Sequence, residues 1–107
     1  MIIRGGFNVY PAEVEEQIAL IEGVQLVAVV GVPDPKLGEK VCACIVPVSG
    51  HTVNQEKIKQ VCKENLANYK VPDFVEIMDS FPMTTTQKIQ KFIIREWMEK
   101  KHGKEPI

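Results

Sequence analysis

Two short segments of the chain carry residue types that could do chemistry. In the first, Gly5 and Gly6 precede Asn8, and paired glycines let a backbone pass close to a ligand or adopt a positive φ. The same pair is equally typical of a tight turn before a helix. In the second, Lys88 stands in the polar segment 82–89, where its ammonium group could bind an anion. Exposed lysines are common on protein surfaces, so each segment alone leaves both interpretations open.

The composition is that of one small globular domain and excludes several classes of protein. The chain has 107 residues, of which 45% are hydrophobic and 25% charged, with a formal net charge of −1. This balance argues against disorder, and without a basic excess nucleic acid is not an expected partner. No apolar run reaches the ~18 residues of a membrane span. The N-terminus also lacks the basic start and long apolar stretch of a secretory signal, so we expect no transmembrane segment.

The cysteines indicate a reducing compartment rather than a metal centre. Cys42, Cys44 and Cys62 are the three cysteines, and an odd number without a secretory signal is typical of free thiols in the cytoplasm. Neither His51 nor His102 lies at a ligand spacing from the C-x-C pair. We therefore predict no metal site in this chain and expect the cysteines to be small buried hydrophobic residues.

The hydrophobic pattern predicts an α+β domain, with a small mixed β-sheet and about three helices packed on it. Both long strands are apolar on both faces, which is typical of strands at the centre of a sheet. The predicted order is helix, strand, strand, helix, strand, helix. The predicted helices span 11–22, 54–67 and 90–101, and the predicted strands span 24–32, 40–48 and 74–78.

Each predicted helix has an apolar stripe that should face the sheet. The first begins at Pro11, which suits the first helical position, and the second has Asn54 as its N-cap. The residues expected to be buried are Val14, Ile18 and Ile21 in the first helix, Ile58, Val61, Cys62 and Leu66 in the second, and Phe92, Ile93 and Trp97 or Met98 in the third.

Four motifs follow one another along the chain. They are GGFNVYPAEVE at 5–15, VVGVPD at 29–34 with GE at 38–39, YKVP at 69–72, and PMTTTQKI at 82–89. From Ile3 to about Lys100 the chain resembles the C-terminal domain of the acyl-CoA synthetases, members of the AMP-binding, adenylate-forming superfamily. Any one motif is weak, but four in order at this spacing are strong. Tyr10-Pro11 and KIQKF at 88–92 look more like fatty acyl-CoA ligases than acetate enzymes.

The resemblance implies an ATP-dependent acyl-CoA synthetase with two half-reactions. A fatty or other carboxylic acid attacks the α-phosphate of ATP to give an acyl-adenylate, and the thiol of coenzyme A then displaces AMP. Residues 1–107 would form the C-terminal lid, which rotates between the two steps. The pockets for ATP and the acid, and the Mg²⁺ site, would belong to an N-terminal domain absent from this chain. That domain is the expected partner, and we expect the lid alone to be inactive.

The resemblance also assigns roles to individual residues. Lys88 would be catalytic, holding the carboxylate and the α-phosphate together. Gly5 and Gly6 would line the tunnel for the pantetheine arm of coenzyme A, and Asn8 would lie near the phosphates. Gln87 departs from the family, which has glycine before the catalytic lysine. Two further motif residues, Glu39 and Lys70, are interpreted as surface or interface residues.

Two alternatives remain open at this level. A free-standing binding module would show a larger exposed apolar patch than a lid that must part from its partner. The lid of an adenylation enzyme that loads a carrier protein would also meet a pantetheine thiol, so the glycine pair does not separate it from a coenzyme A ligase. The type of acid is set outside this chain in either case.

Overall fold

The computed structural model describes residues 1–102 and confirms the α+β class. All six predicted elements are present, with ends shifted by up to three residues, and two short strands precede them. Residues 103–107, which belong to the predicted domain, lie outside the described residues. The strands are β1 Ile2–Arg4, β2 Phe7–Val9, β3 Val24–Asp34, β4 Gly38–Pro47 and β5 Phe74–Ile77, and the helices are α1 Pro11–Ala19, α2 Gln55–Asn65 and α3 Lys91–His102, with a 3₁₀ turn at Asn68–Lys70.

Strand β4 is the centre of the five-stranded sheet. On one edge it pairs antiparallel with β3 along nearly its whole length. On the other edge β5 runs parallel to it from Cys42 to Ile45, and β1 joins it where Arg4 lies opposite Gly38. The sheet is therefore mixed, as predicted.

Both faces of the sheet are covered, which explains why β3 and β4 are apolar throughout. Helices α1 and α2 pack on one face and α3 packs on the other. The first face presents Val29, Val41, Ala43 and Ile45. The second face presents Ala28, Val30, Cys42 and Cys44, against which Phe81 also packs.

The first two helices bury the stripes that the sequence predicts. In α1, Val14 and Ile18 are fully buried, although the helix ends at Ala19, three residues before the predicted end. In α2, the Asn54 side chain accepts hydrogen bonds from the backbone N–H groups of Glu56 and Lys57, at 2.8 and 3.3 Å, which confirms it as the N-cap. The buried stripe of α2 consists of Ile58 and Cys62, with Val61 and Leu66 partly buried.

The predicted buried face of α3 is confirmed at Met98 and wrong at Phe92. Ile94 and Met98 are buried against the sheet, whereas Phe92 is 64% exposed and Trp97 42% exposed; Ile93 is partly buried. Residues four apart share one face of a helix, whereas residues five apart diverge by about 140°. Ile94 and Met98 have this spacing, whereas Phe92 lies six residues before Met98, on a different side of the helix.

Glu76 fixes the C-terminal end of α3 to β5. Its carboxylate binds Lys101 Nζ at 2.8 Å and His102 Nε2 at 2.7 Å, and the His102 ring stacks on Phe74 with centroids 4.1 Å apart. Burial alone would raise the pKa of Glu76, but the hydrogen bonds from Lys101 and His102 outweigh it and lower that pKa.

The three cysteines are free and buried, as predicted. The Sγ atoms of Cys42 and Cys44 lie 4.0 Å apart, and this contact together with burial raises the pKa of the Cys42 thiol. Among residues 1–102, no group of three or more histidine, cysteine or acidic side chains could hold a metal ion. None of the helices described is long and apolar enough to span a bilayer.

The packing of α3 predicts a large loss of stability for one apolar residue of the helix and a small loss for another. Ile94→Ala should lower the free energy of unfolding by about 3 kcal/mol, because it leaves a cavity in the core. Phe92→Ala should change it by less than about 1 kcal/mol, because Phe92 is mostly exposed. Urea unfolding followed by circular dichroism measures both variants. A larger loss for Phe92→Ala than for Ile94→Ala would contradict the observed packing.

Candidate functional site: a glycine turn and a lysine loop

Gly5 and Gly6 form the turn of a β-hairpin that the sequence analysis did not predict. Strands β1 and β2 pair up to Arg4 opposite Phe7, so these glycines are the two-residue connection. Their φ angles are +58° and +84°, as a type I′ turn requires, and glycine adopts such angles without strain. Both glycines are exposed, and so is Asn8 on β2. The pair is thus a tight turn whose tip is open to a ligand.

The motif that contains Asp34 shapes a second turn, which supports the glycine turn. The Asp34 carboxylate accepts hydrogen bonds from the backbone N–H groups of Lys36 at 3.0 Å and Leu37 at 2.9 Å. The bond from Leu37, with that from Lys36, lowers the pKa of Asp34 despite partial desolvation. The carbonyl of Leu37 then accepts the N–H of Gly5 at 2.9 Å. The turn shaped by Asp34 therefore supports the glycine turn at Gly5.

Glu39 attaches β1 to the body of the domain. Its Oε1 accepts the backbone N–H of Ile3 at 3.0 Å, and its Oε2 lies 3.5 Å from Arg95 on α3. A Cβ on Gly31 would lie 2.2 Å from Glu39 Oε2. Glycine in the VVGVPD motif thus leaves room for the Glu39 carboxylate. The sequence analysis interpreted Glu39 as a surface or interface residue. In the structure it is half-buried, and its carboxylate binds the backbone of the hairpin.

The strongest attachment of the hairpin is an ion pair that the sequence analysis did not identify. Arg4 donates from Nε and Nη2 to both carboxylate oxygens of Asp73, with the shortest distances 2.9 and 2.8 Å. Asp73 Oδ2 also accepts the backbone N–H of Val41 on β4 at 2.8 Å. The hydrogen bonds to Asp73 raise the pKa of Arg4. No local pattern signals a pair 69 residues apart.

The YKVP motif supplies a further contact to the hairpin. Tyr69 stacks on Phe7, with ring centroids 4.6 Å apart and planes 17° apart. The next residue, Lys70, binds Glu13 at the start of α1 at 2.6 Å, and this hydrogen bond raises the pKa of Lys70. Lys70 therefore ties the 3₁₀ turn to α1, whereas Tyr69 packs against the start of β2, next to the glycine turn.

Lys88 ends a loop that Thr84 closes. The Thr84 N–H donates to the Lys88 carbonyl at 2.9 Å, the Lys88 N–H donates to Thr84 Oγ1 at 3.1 Å, and the Gln87 N–H donates to the Thr84 carbonyl at 2.9 Å. Met83 and Ile89 pair as an antiparallel bridge at the base of the loop. Lys88 itself is exposed. Among residues 1–102 its Nζ has no hydrogen bond or ion pair, so the ammonium group is available to an anion.

Gln87 adopts a glycine-like conformation in this loop. Its φ is +62°, in the left-handed region, and it is the one non-glycine residue within 1–102 with a positive φ. A side chain costs about 1–2 kcal/mol there. Gln87 thus follows a left-handed path that glycine adopts freely, at the cost of local strain.

The glycine turn and the lysine loop are anchored on opposite faces of the sheet. Ile2 and Val9 of the hairpin belong to the core under α1 and α2. Phe81 and Ile89, which flank the loop, belong to the core under α3. The structure thus brings Gly5, Gly6 and Asn8 together on one hairpin and places Lys88 on a separate segment; in the described part of the chain, no hydrogen bond or ion pair joins the two.

Gly5, Gly6 and Lys88 line neither of two open depressions on the surface of residues 1–102. An open depression of about 260 Å³ lies between β1 and α3, lined by Ile2, Pro11 and Phe92 among others, but by neither turn glycine and not by Lys88. Small-molecule sites usually enclose about 300–1,000 Å³. In residues 1–102 the structure thus defines a small α+β domain that carries two motif-bearing segments, the glycine turn and the lysine loop, at its surface.

Comparison with known proteins identifies the family. Residues 13–88 match the family model described as AMP-binding enzyme C-terminal domain, and the chain belongs to this family. It is 46% identical over 99 residues to the medium-chain acyl-CoA ligase ACSF2, mitochondrial, of Rattus norvegicus, covering 92% of this chain and 16% of the relative. It is 48% identical over 96 residues to a 3-[(3aS,4S,7aS)-7a-methyl-1,5-dioxo-octahydro-1H-inden-4-yl]propanoyl:CoA ligase of Rhodococcus jostii, covering 90% and 19%.

Solved structures agree with this assignment. The fatty acyl CoA synthetase of Mycobacterium tuberculosis aligns with a TM-score of 0.88 at 42% identity, covering 94% of this chain and 20% of that chain. ATP-bound MatB from Rhodopseudomonas palustris aligns with a TM-score of 0.87 at 38% identity, covering 91% and 19%. The chain thus spans between about one sixth and one fifth of the proteins it resembles.

The conformation of Gln87 predicts that glycine stabilises the lysine loop. Gln87→Gly should raise the free energy of unfolding by about 1 kcal/mol, because it removes the strain of a side chain at positive φ. Gln87→Val should lower it, because a β-branched residue is worse there. Thr85→Gly is the control, since Thr85 has no positive φ, and it should not stabilise. Equal effects of glycine at 85 and 87 in urea unfolding would contradict the left-handed conformation.

Proposed function

We propose that this chain is the C-terminal lid of an ATP-dependent acyl-CoA ligase. The intact enzyme would convert a carboxylic acid and ATP to an acyl-adenylate, and then coenzyme A and the adenylate to acyl-CoA and AMP. The observation that carries the proposal is Lys88, exposed and unpaired in the described structure on a loop closed by Thr84. The relatives are named as CoA ligases, which supports the reaction type.

In the adenylation step, Lys88 would hold the acid and ATP together. Transfer to phosphorus depends mainly on positioning and charge stabilisation. An ammonium on a long, flexible stem can donate to the carboxylate and to the α-phosphate at once. The closed loop supports this role, because it fixes the backbone of Lys88 while its side chain stays free.

In the thioester-forming step, the glycine turn would border the path of the pantetheine arm. Gly5 and Gly6 present no side chains at an exposed tip, so a narrow thiol-bearing chain can pass close to the backbone. Asn8, exposed on the strand that leaves the turn, would face the phosphates. The attachment of turn and loop to opposite faces of the sheet suits a lid that rotates to present a different face for each step.

The remaining parts of the active site would come from an N-terminal domain of the same enzyme. That domain would bind the adenine of ATP, the acid and Mg²⁺. Two features of residues 1–102 support this division: the depression beside α3 is open and small, and no cluster of acidic side chains could hold a metal. The share of the relatives that the chain covers leaves room for such a domain.

We propose a fatty acid as the substrate of the intact enzyme, supported by the fatty acyl CoA synthetase among the solved structures. A long-chain acid and a cytoplasmic location are part of this proposal, whereas the ACSF2 relatives are named medium-chain and mitochondrial. The free thiols support a reducing compartment. Detection of the protein in the cytosolic or the mitochondrial fraction of its source cells would test the location.

Membership of the AMP-binding family disfavours the free-standing binding module. Activity with free coenzyme A would distinguish a ligase from an enzyme that loads a carrier protein.

Replacing Lys88 should separate the two half-reactions of the intact enzyme. Lys88→Ala should lower ATP–pyrophosphate exchange by about 100-fold or more, the scale for losing a group that stabilises developing charge. Supplied acyl-adenylate should still react with coenzyme A. Lys57→Ala, which removes an exposed lysine of α2, should leave both rates unchanged. An equal loss in both steps for Lys88→Ala would show that Lys88 is not specific to adenylation.

The 107 residues alone should show no ligase activity, because the groups that bind ATP and the acid lie elsewhere. The measurement is acyl-CoA formation from a fatty acid, ATP, Mg²⁺ and coenzyme A by the purified chain, with the intact enzyme assayed in parallel. Acyl-CoA formation by the isolated chain, at a rate proportional to its concentration, would refute the division between two domains.

A further inference from the structure

We propose that Arg4 and Asp73 form a positioning pair that orients the glycine turn for the thioester-forming step. This inference rests on the proposed function of the turn. Arg4 is the last residue of β1 and is adjacent to Gly5. The contact with Asp73 is therefore made at the residue that leads into the tip of the hairpin.

The pair has the geometry of a directional clamp. The guanidinium meets both carboxylate oxygens, with three N···O distances between 2.8 and 3.3 Å. A bidentate contact fixes the angle as well as the distance between its partners. The side chains are only 25% and 17% exposed, so water screens this pair less than a surface ion pair.

Asp73 is itself held to the centre of the sheet. Its Oδ2 accepts the N–H of Val41 at 2.8 Å, and its own N–H donates to the Val41 carbonyl at 2.8 Å. Lys59 Nζ donates to its carbonyl at 3.1 Å. Arg4 thus binds Asp73, whose backbone and side chain are both hydrogen-bonded to the rest of the domain.

Without the pair, the direction of the hairpin would depend on a few single contacts. Each of its strands has three residues, and an isolated two-stranded hairpin is marginally stable. Its remaining contacts are the hydrogen bonds from Ile3 to Glu39 and from Gly5 to Leu37, the stack of Tyr69 on β2 and the pairing of β1 with β4. Ile2 and Val9 keep the base buried, so loss of Arg4 should leave the hairpin attached but free to tilt.

The consequence should be confined to the thioester-forming step. The loop of Lys88 has its own closure through Thr84 and lies on the other face of the sheet. Misplacing a positioning group by about 1 Å can cost up to 100-fold in rate. A tilted turn should therefore slow reaction with coenzyme A and spare adenylation.

The test uses the intact enzyme and measures the two half-reactions separately. In Arg4→Gln, kcat/KM for coenzyme A with supplied acyl-adenylate should fall about tenfold or more, while ATP–pyrophosphate exchange stays within about twofold. Arg4→Lys keeps the charge but not the bidentate fork, so its loss should be intermediate. Lys101→Met is the matched control, since it breaks an ion pair of similar length on β5 and α3 and should not separate the steps.

Two further measurements show whether a negative result overturns the proposed function of the turn or only the positioning role of Arg4. Hydrogen exchange of the amides from Gly5 to Asn8 should be faster in Arg4→Gln, with little change in α2. Gly6→Val tests the turn itself: if it leaves thioester formation unchanged, the proposed function of the turn is wrong, and the positioning role is overturned with it. If Gly6→Val slows that step and Arg4→Gln does not, only the positioning role is overturned. A parallel loss of both half-reactions and of thermal stability in Arg4→Gln would show a purely structural pair.

Discussion

The fold depends on one constraint: the central strand β4 has apolar side chains on both faces and must be covered twice. Val41, Ala43 and Ile45 require α1 and α2 on one side, and Cys42 and Cys44 require α3 on the other. Leaving either side open would expose a continuous apolar surface to water. The hairpin, which extends the sheet beside β4, buries its side chains on the first face, and the loop before α3 packs on the second.

Several motif residues support the hairpin through direct contacts. The hairpin is too short to hold its own direction, so residues from distant parts of the chain converge on it. Asp34 shapes the turn that receives Gly5, Glu39 binds the backbone of β1, Tyr69 stacks on Phe7 and Asp73 binds Arg4. These motifs thus describe how the glycine turn is supported, and the turn itself is the part left exposed.

Sequence reasoning succeeded where the signal is local and periodic. Asn54 and the two long apolar strands are examples, because a cap and a doubly covered strand leave patterns within a few residues. The hairpin was missed because three-residue strands are too short to show alternation. Arg4 and Asp73 were missed because their pairing depends on the completed sheet. The candidates Gly5, Gly6, Asn8 and Lys88 came from the family resemblance, since their residue types alone also fit a turn and a solvated surface.

Charge pairing alone does not single out Lys88. Most cations at the junctions between elements are neutralised, as Lys91 is by Glu15 and Lys70 by Glu13, but Lys57 on α2 has no carboxylate partner within residues 1–102 either. What distinguishes Lys88 is the contrast between its backbone and its side chain. Three hydrogen bonds to Thr84 and the left-handed turn at Gln87 fix the base of the side chain, while the ammonium end meets no partner among the described residues. A fixed base limits the orientational freedom that binding must remove, and a free, compact charge can still adapt to two anions. Lys57 also has a fixed base, but it lies in the regular helix α2, whereas Lys88 lies on a short closed loop next to a residue at positive φ.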